Sequence, residues 1–253
     1  MLNTLRKESQ LSRLALNQPF FRKENSMIEA IIFDMFHTLA DPHSDLEITE
    51  YEPLGVSKEK WAAALWDKDF CDERGLGKIS TVDGIFARLG ELLGGEIPEE
   101  KMKMSRDARI ERVRLAITDI RPDILDAVKK LREHGFKMAI LSNADVCDRL
   151  HWDDSPLRLF FDEVIFSCDV GMAKPSAEIY ELASKRLHVK PENTLYIGDG
   201  ADDELKGAKN AGFTTVRTER LRVWDEERLS GIRPYSDFCV KSLGEIAGIA
   251  DSL

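Results

Sequence analysis

Seven side chains that can bind an anion or a metal ion lie in four short, widely separated segments. They are Asp34, Thr38, Ser142, Lys174, Asp199, Asp203 and Glu204. A carboxylate that attacks a phosphoryl group is repelled by its like charge, and a divalent cation between the two reduces this repulsion and orients the reacting atoms. Magnesium prefers oxygen ligands, so Asp34 and Asp199 are the first candidates to hold it. The set therefore indicates hydrolysis of a small anionic compound.

The remaining members of the set have distinct expected roles. Lys174 would neutralise charge on Asp34 and on the bound anion, which would lower the pKa of the attacking carboxylate. Ser142 or Thr38 would hydrogen-bond an oxygen of that anion, and the adjacent Asn143 is a candidate substrate-binding residue. Each residue alone has an ordinary structural explanation, such as a turn at a strand end or a solvated lysine. The chemical interpretation depends on their occurrence together.

The elements that must position these side chains are short apolar runs alternating with amphipathic segments. The runs cover residues 29–36, 137–143, 163–169, 194–200, 213–218 and 238–242. Helical apolar spacing occurs at residues 122–135, 176–187 and 203–212. Continuous Ile, Val and Leu in the runs predict an α/β fold, with a parallel sheet covered on both faces. In such sheets ligands bind at the carboxyl ends of the strands, where the reactive side chains fall.

Residues 41–118 interrupt this alternation. Their spacing predicts helices without an intervening strand, as in SKEKWAAALWDKDF and PEEKMKMSRDARIERVRLA. We therefore expect a helical module inserted after the first strand. The expected division is an N-terminal extension at residues 1–26, a core formed by 27–40 and 119–253, and the helical module at 41–118.

Composition excludes several functional classes. The net charge of −10 over 253 residues argues against a general nucleic-acid-binding protein, which needs a basic surface. No apolar stretch approaches the roughly 18 residues of a membrane span. The four cysteines are far apart and form no CxxC pair, which favours reduced thiols in a cytoplasmic protein. We predict a small anionic substrate, with no nucleic-acid or membrane partner.

The first 26 residues differ from the rest of the chain. They carry five Lys or Arg and two Glu, a net charge of +3, and lack the continuous apolar segment of a secretory signal. We predict a poorly packed extension, or residues upstream of a start at Met27. A transit peptide is less favoured because Glu8 and Glu24 are present.

The segments IIFDMFHTL, ILSNA, GMAKPSAEIY and YIGDGADDELKGAKNAGF, in this order, resemble the four motifs of the haloacid dehalogenase (HAD) superfamily. The resemblance implies a Rossmann-like core, Mg²⁺ as cofactor and Asp34 as a covalent nucleophile, and the helical insertion is similar to the class I cap. It also implies that Asp34, Asp199 and the backbone carbonyl of Phe36 bind the metal. Asp203 or Glu204 would hold metal-bound water, since both spacings after Asp199 occur in the family.

The first segment departs from the DxDxT pattern of the phosphatases in this family. In that pattern the second Asp protonates the leaving oxygen and later activates water, whereas here the position is Phe36. Loss of a positioned acid or base typically costs about 10²–10⁴-fold in rate, and poor leaving groups suffer most. His37 could replace the missing acid because its usual pKa suits proton transfer, but we favour a turn histidine that faces away.

We predict Mg²⁺-dependent hydrolysis of a small phosphorylated metabolite through an aspartyl-phosphate on Asp34, with a preference for activated leaving groups. One alternative resembles the 2-haloacid dehalogenases, whose halide leaves without a proton, although the retained Asp199 argues for a metal. Another resembles the phosphonatases, with Lys78 or Lys68 as a Schiff-base lysine. A third is a HAD-like binding protein with little turnover.

The segment ERGLGK in the predicted cap offers two further cations. Arg74 and Lys78 are candidate substrate-binding residues, since a cap closes over the site and sets specificity. Solvated loop charges are an equally good interpretation of both. The sequence leaves open the identity of the substrate and the oligomeric state.

Overall fold

The computed structural model describes residues 28–42 and 49–253, so the predicted N-terminal extension lies outside the described residues. Six parallel strands form one sheet in the order β3-β2-β1-β4-β5-β6. Strands β1 to β6 are Ala30–Phe33, Lys137–Ser142, Glu163–Phe166, Thr194–Gly198, Thr214–Thr218 and Phe238–Val240. The predicted α/β fold with a parallel sheet is confirmed. Because successive strands are added on opposite sides of β1, the order reverses between β1 and β4, where open α/β sheets bind ligands.

Eleven α-helices occur among the described residues. Helices α1 to α11 are Lys58–Leu65, Lys68–Gly75, Val82–Leu93, Glu99–Thr118, Pro122–Glu133, Val146–Arg149, Ser167–Val170, Ala177–Leu187, Glu204–Asn210, Glu226–Ile232 and Ile246–Ser252. No helix in the described part of the chain is long and apolar enough to cross a membrane.

Helices cover both faces of the sheet. On one face, α5 packs Ile124 and Val128 into a cluster that contains Phe33 from β1. On the other, α8 and α9 contribute Tyr180 and Leu205 to a second cluster. Strand side chains alternate between the two clusters, and this two-sided burial explains the continuous apolar runs in the sequence.

The third apolar run ends earlier than predicted. Strand β3 stops at Phe166, and Ser167–Val170 forms one helical turn closed by Gly171 at φ 66°. The Ser167 hydroxyl donates a hydrogen bond to the carbonyl of Gly75 at 2.7 Å and accepts one from the Ala144 amide at 2.9 Å. These contacts join the end of α2 to the core and favour a turn over a longer strand.

Helices α1 to α4 fill the inserted segment, which contains no strand among its described residues. They enclose their own apolar cluster, with Phe70, Ile85 and Leu89 almost fully buried. Local sequence fixes the helix ends. The Thr81 hydroxyl caps α3 by accepting from the Gly84 amide, and α3 ends at a left-handed glycine.

A buried ion-pair network joins these helices to the core. Asp145, whose side chain is fully buried beside β2, accepts from Arg74 of α2 at 2.5 Å and from Arg109 of α4 at 3.0 Å. Arg109 also pairs with Asp148 at 3.0 Å, and its Nη1 lies 3.9 Å from a carboxylate oxygen of Glu50. We call the pairs of Asp145 with Arg74 and Arg109 the cap–core latch. Since the partners come from three separate segments, the latch fixes the helical insertion against the sheet.

Candidate active site

Three carboxylates converge at the carboxyl ends of β1 and β4. Asp34 follows β1, Asp199 follows β4 and Glu204 begins α9. One oxygen from each lies within 4.8 Å of the others, and all three residues are at least nine-tenths buried. The two strands are neighbours in the sheet, so their ends bring the first two acids together. Such a concentration of buried negative charge requires a compensating cation.

Lys174 supplies part of that compensation. Its Nζ donates to Asp34 Oδ1 at 2.5 Å, to Glu204 Oε2 at 2.7 Å and to the Tyr196 hydroxyl at 3.1 Å. Tyr196 in turn donates its hydroxyl proton to Glu204 Oε2 at 2.7 Å. The three protons of the ammonium therefore point at defined partners, which fixes the charge beside Asp34.

Glu204 occupies the position that the sequence left open between two acids. Its Oε1 accepts from the Gly200 amide at 2.9 Å, and its carboxylate lies against Gly198, where a Cβ would be 2.2 Å from that oxygen. Asp203 is exposed, has a φ of 53° and is not part of the buried carboxylate cluster. The left-handed backbone at Asp203 directs the next residue, Glu204, into the site instead.

The protonation behaviour of the cluster follows from burial and crowding. Burial and then the charge of Glu204 raise the pKa of Asp34 to about 7, against the lowering effect of Lys174. Burial and Glu204 also raise the pKa of Asp199 to about 6. Burial disfavours the charged form of Lys174, but Asp34 and Glu204 outweigh it and raise its pKa, so the ammonium persists. The carboxylates therefore carry more negative charge than one lysine offsets.

Two buried hydroxyls lie nearby in the fold: Thr38 is in the turn after β1, and Ser142 is the last residue of β2. Thr38 is completely buried, and its hydroxyl has no hydrogen-bond partner among the described residues. Ser142 makes one long contact, 3.4 Å to the carbonyl of Asn143. A buried hydroxyl without a partner costs about 1–3 kcal/mol, so an oxyanion that accepts from Thr38 would be stabilised there.

Asn143, which was predicted to bind substrate, makes two hydrogen bonds to the backbone of Lys174. Its Nδ2 donates to the Lys174 carbonyl at 2.9 Å, and its Oδ1 accepts from the Lys174 amide at 2.8 Å. The nitrogen and the oxygen of the side-chain amide thus both bond the backbone of the same residue, Lys174. Asn143 positions the loop that carries Lys174.

Sequence reasoning missed three residues around the acids. Tyr196 bridges Lys174 and Glu204, Arg222 Nη1 donates to Asp199 Oδ2 at 2.9 Å, and Trp224 Nε1 donates to the Asp199 carbonyl at 2.8 Å. The alternation of side chains in the fourth run places Tyr196 on the same face of the sheet as Gly198. Arg222 and Trp224 lie beyond β5 in a segment without a recognisable pattern, so nothing in the sequence pointed to them.

A family comparison agrees with this geometry. The protein-family model for haloacid dehalogenase-like hydrolases matches residues 28–212 of the sequence. These residues include all three acids and Lys174. The chain belongs to the HAD-like hydrolases. The predicted family is therefore confirmed, and the matched region contains strands β1 to β4 and ends just after α9.

Two HAD-like relatives differ in the bond that their names say they cleave. A glyceraldehyde 3-phosphate phosphatase of Methanopyrus kandleri is 34% identical over 79% of this chain and 88% of its own length. An (S)-2-haloacid dehalogenase of Pseudomonas putida is 28% identical over 74% of this chain and 82% of its own length. Sequence similarity thus supports a phosphatase and also includes dehalogenases.

Among solved structures, a HAD-family enzyme of Bacteroides thetaiotaomicron in complex with magnesium and inorganic phosphate is similar to this chain. The TM-score is 0.60 with 18% identity, and the match covers 79% of this chain and 98% of the other. At this level of identity the likeness shows the shared HAD-like fold.

Two cations of the insertion were predicted to bind substrate, and the contacts of Arg74 do not include the buried carboxylate cluster. Arg74 is buried in the cap–core latch, where Asp145 neutralises its charge. Lys78 is exposed along an open groove on the insertion that also includes Glu73 and Arg88. The charge of Arg74 is thus paired inside the protein, in a contact between the insertion and the segment after β2. Substrate binding by Arg74 and Lys78 stays a prediction.

Neither candidate Schiff-base lysine contacts the buried acids. Lys68 is 84% exposed and pairs with Asp72 one helical turn away. That hydrogen bond raises the pKa of Lys68, whereas an amine nucleophile needs a lowered pKa. Lys78 is also exposed. The geometry gives no support to the phosphonatase alternative.

Phe36 and His37 form the turn after the first acid. The Phe36 side chain packs against the main apolar cluster. His37 has a φ of 60°, and its amide donates to the Ala40 carbonyl at 2.8 Å. Burial and then the charge of Arg222 lower the pKa of His37 to about 4, so the imidazole is neutral at pH 7. A neutral imidazole is a poor proton donor, which disfavours His37 as a replacement acid.

Proposed function

We propose that this HAD-like hydrolase cleaves a small phosphorylated compound with Mg²⁺ bound, through an aspartyl-phosphate on Asp34. The observation that carries the proposal is the buried cluster of Asp34, Asp199 and Glu204 beside Lys174. The phosphatase relative, and the HAD-family structure that contains magnesium and phosphate, support the same chemistry.

The cluster fits a divalent cation of the hard, oxygen-binding type. Its donors are carboxylate oxygens. Burial and then the charge of Glu204 raise the pKa values of Asp34 and Asp199, and a bound cation would offset that negative charge. Asp34, Asp199 and the carbonyl of Phe36 would hold it, with Glu204 close enough to bind its water. Magnesium, when bound, would neutralise charge between the nucleophile and the phosphoryl group.

The reaction consists of two displacements at phosphorus. An oxygen of Asp34 attacks the phosphorus, and the bond to the leaving oxygen breaks with its electron pair. Water then attacks the same phosphorus and gives up a proton to solvent, the bond to Asp34 breaks with its electron pair to restore the carboxylate, and inorganic phosphate is released. Thr38 and Ser142 would donate to the phosphoryl oxygens, and Lys174 would hold positive charge beside them. Incubation with beryllium fluoride and magnesium should therefore add a mass to Asp34, and failure to trap it would contradict the proposal.

Phe36 limits the leaving group. Phe36 cannot donate a proton, and no substitute acid is evident among the described side chains next to Asp34. Aryl and acyl phosphates release phenolate and carboxylate anions, which are stable without a proton, so these substrates should react faster than alkyl phosphates. The Phe36→Asp variant should raise alkyl phosphatase activity by about 10²-fold or more, measured as phosphate release.

A matched control separates an acid from a smaller side chain. Phe36→Asn has a similar size to Phe36→Asp but cannot protonate the leaving oxygen, so it should leave the alkyl rate low. Equal rates on aryl and alkyl phosphates in the parent would contradict the limiting role of Phe36.

Metal removal should make stability depend on pH through Asp34 and Asp199. Their folded pKa values, about 7 and about 6, lie above the usual 3.8, so the folded state holds protons that the unfolded chain releases. This contribution to stability is present at low pH and is lost as the pH rises through these values. A bound cation replaces the protons, so Mg²⁺ should raise Tm more at about pH 8 than at about pH 5.

The size of this effect can be estimated from binding linkage. Magnesium at about 100 times its Kd stabilises the folded state by about 2.7 kcal/mol, or about 5–10 °C in Tm for a chain of this size. Asp199→Asn should remove most of the difference between the two pH values. An equal magnesium shift at both pH values would argue against the site.

A 2-haloacid dehalogenase is the second candidate, favoured by Phe36 and by the dehalogenase relative. A halide leaves without a proton, so the missing acid would be unimportant. The two functions separate on metal, because turnover of a 2-haloacid that survives chelation would favour the dehalogenase. Absence of turnover with a broad set of phosphates and 2-haloacids would favour a binding protein instead.

A further inference from the structure

Arg222, in the segment beyond β5, contacts Asp199 of the carboxylate cluster, whereas Lys174 contacts Asp34 and Glu204. Arg222 donates to Asp199 Oδ2 at 2.9 Å, and its guanidinium lies 4.7 Å from the centre of the Trp224 ring. Trp224 is itself fixed by its hydrogen bond to the Asp199 carbonyl. The guanidinium is therefore held in one place by an ion pair and by an aromatic face.

Arg222 differs in exposure from the other cation that contacts the cluster. Its side chain is 28% exposed, against 3% for Lys174. One of its terminal nitrogens donates to Asp199, and no other hydrogen bond from its guanidinium is made within the described part of the chain. The remaining N–H groups, on a fork of five donors, are available to a ligand.

The position of Arg222 places these donors beside the reacting groups. It contacts Asp199 directly, and an oxygen of Asp199 lies within 4.8 Å of oxygens of Asp34 and Glu204. Arg222 therefore touches the carboxylate cluster while its side chain stays partly open to solvent. By contrast, Arg74 and Arg109, the buried arginines of the insertion, are both paired with Asp145.

We infer that Arg222 is a substrate-binding residue that pairs with a carboxylate carried by the substrate next to its phosphoryl group. This inference rests on the proposed function. A planar guanidinium binds a carboxylate through two parallel hydrogen bonds, which gives both affinity and geometric selection. The substrate class is then a small phosphorylated carboxylic acid, and a neutral analogue lacks the partner for Arg222.

Binding of two stable phosphonates with magnesium present tests the inference without turnover. Phosphonoacetate carries the carboxylate, and phosphonoacetamide replaces it with a neutral group of similar size. The parent should bind phosphonoacetate more tightly by titration calorimetry. Arg222→Gln should weaken phosphonoacetate binding by about 10–100-fold, as expected for lost charged hydrogen bonds, and change phosphonoacetamide binding by less than about threefold.

Two further variants sharpen the result. Arg228→Gln is the matched control, because Arg228 lies 5.5 Å from the centre of the same tryptophan ring but is exposed and, among the described residues, makes no hydrogen bond or ion pair with the carboxylate cluster. Binding of both phosphonates should be unchanged in this variant. Arg222→Lys keeps the charge without the fork and should recover part of the preference for phosphonoacetate.

Equal affinity of the parent for the two phosphonates would overturn the inference. So would an equal loss of both in Arg222→Gln, since that pattern means Arg222 only positions Asp199. The proposed function is judged separately by phosphate release and by trapping on Asp34. A parent that selects the carboxylate but releases no phosphate would count against the function and leave the role of Arg222 supported.

Discussion

Asp34→Asn is expected to lower kcat on an aryl phosphate by at least about 10³-fold, because the attacking oxygen is replaced by a weakly nucleophilic amide. The change is nearly isosteric and relieves negative charge next to Glu204, whose proximity helps raise the pKa of Asp34 to about 7. The fold should therefore survive. Phosphate release measures the loss, and circular dichroism with the unfolding midpoint checks the fold.

Asp203→Asn is the matched control for this prediction. It makes the same chemical change in the acidic stretch near the site, but Asp203 is exposed and outside the carboxylate cluster. Its activity should stay within about threefold of the parent, as for most surface changes. A large loss in Asp203→Asn would reverse the assignment of Glu204 as the third acid. An active Asp34→Asn would exclude the covalent mechanism.

Asp145→Asn is expected to reduce the free energy of unfolding by about 3–5 kcal/mol, because it leaves buried arginine charge without its partner. Arg74 has no other carboxylate partner within the described residues, whereas Arg109 keeps Asp148. Burial opposes the charged form of Asp145, but Arg109 and Arg74 outweigh it and lower its pKa. Urea denaturation at neutral pH measures the change.

Asp153→Asn provides the comparison at the surface. Asp153 pairs with Arg158 at 2.9 Å, but the two side chains are 85% and 53% exposed. Such a pair contributes about 0–1 kcal/mol, so its loss should be small. If Asp145→Asn costs no more than Asp153→Asn, the latch does not hold the insertion against the core.

The strands of the sheet could be predicted from the sequence because each one is encoded by a continuous local pattern. Two-sided burial demands uninterrupted apolar runs, and each of the six predicted runs contains one strand. The placement of Asp34 and Asp199 follows from the same logic, since parallel strands end at a common edge. The ends of the strands were less predictable. Strand β3, for example, stops at Phe166, where the Ser167 hydroxyl contacts the insertion.

Contacts between particular side chains were harder to predict from the sequence. Nothing in the letters DDE distinguishes Asp203 from Glu204, because the choice depends on left-handed backbone at Asp202 and Asp203 and on space beside Gly198. Likewise, Arg74 reads as a loop cation, and only the packing of the insertion brings it to Asp145. These contacts join residues far apart in sequence, so no local pattern encodes them.

The central position of β1 bears on how the chain is made. Ala30 at the start of β1 pairs with Lys137 on one side and with Thr194 on the other. Both neighbouring strands are therefore synthesised well after β1. While the ribosome still holds β4, one edge of β1 has no neighbour, and exposed strand edges promote aggregation. Nascent chains that end before Thr194 should therefore depend on chaperones, even though the helices of the insertion have already emerged.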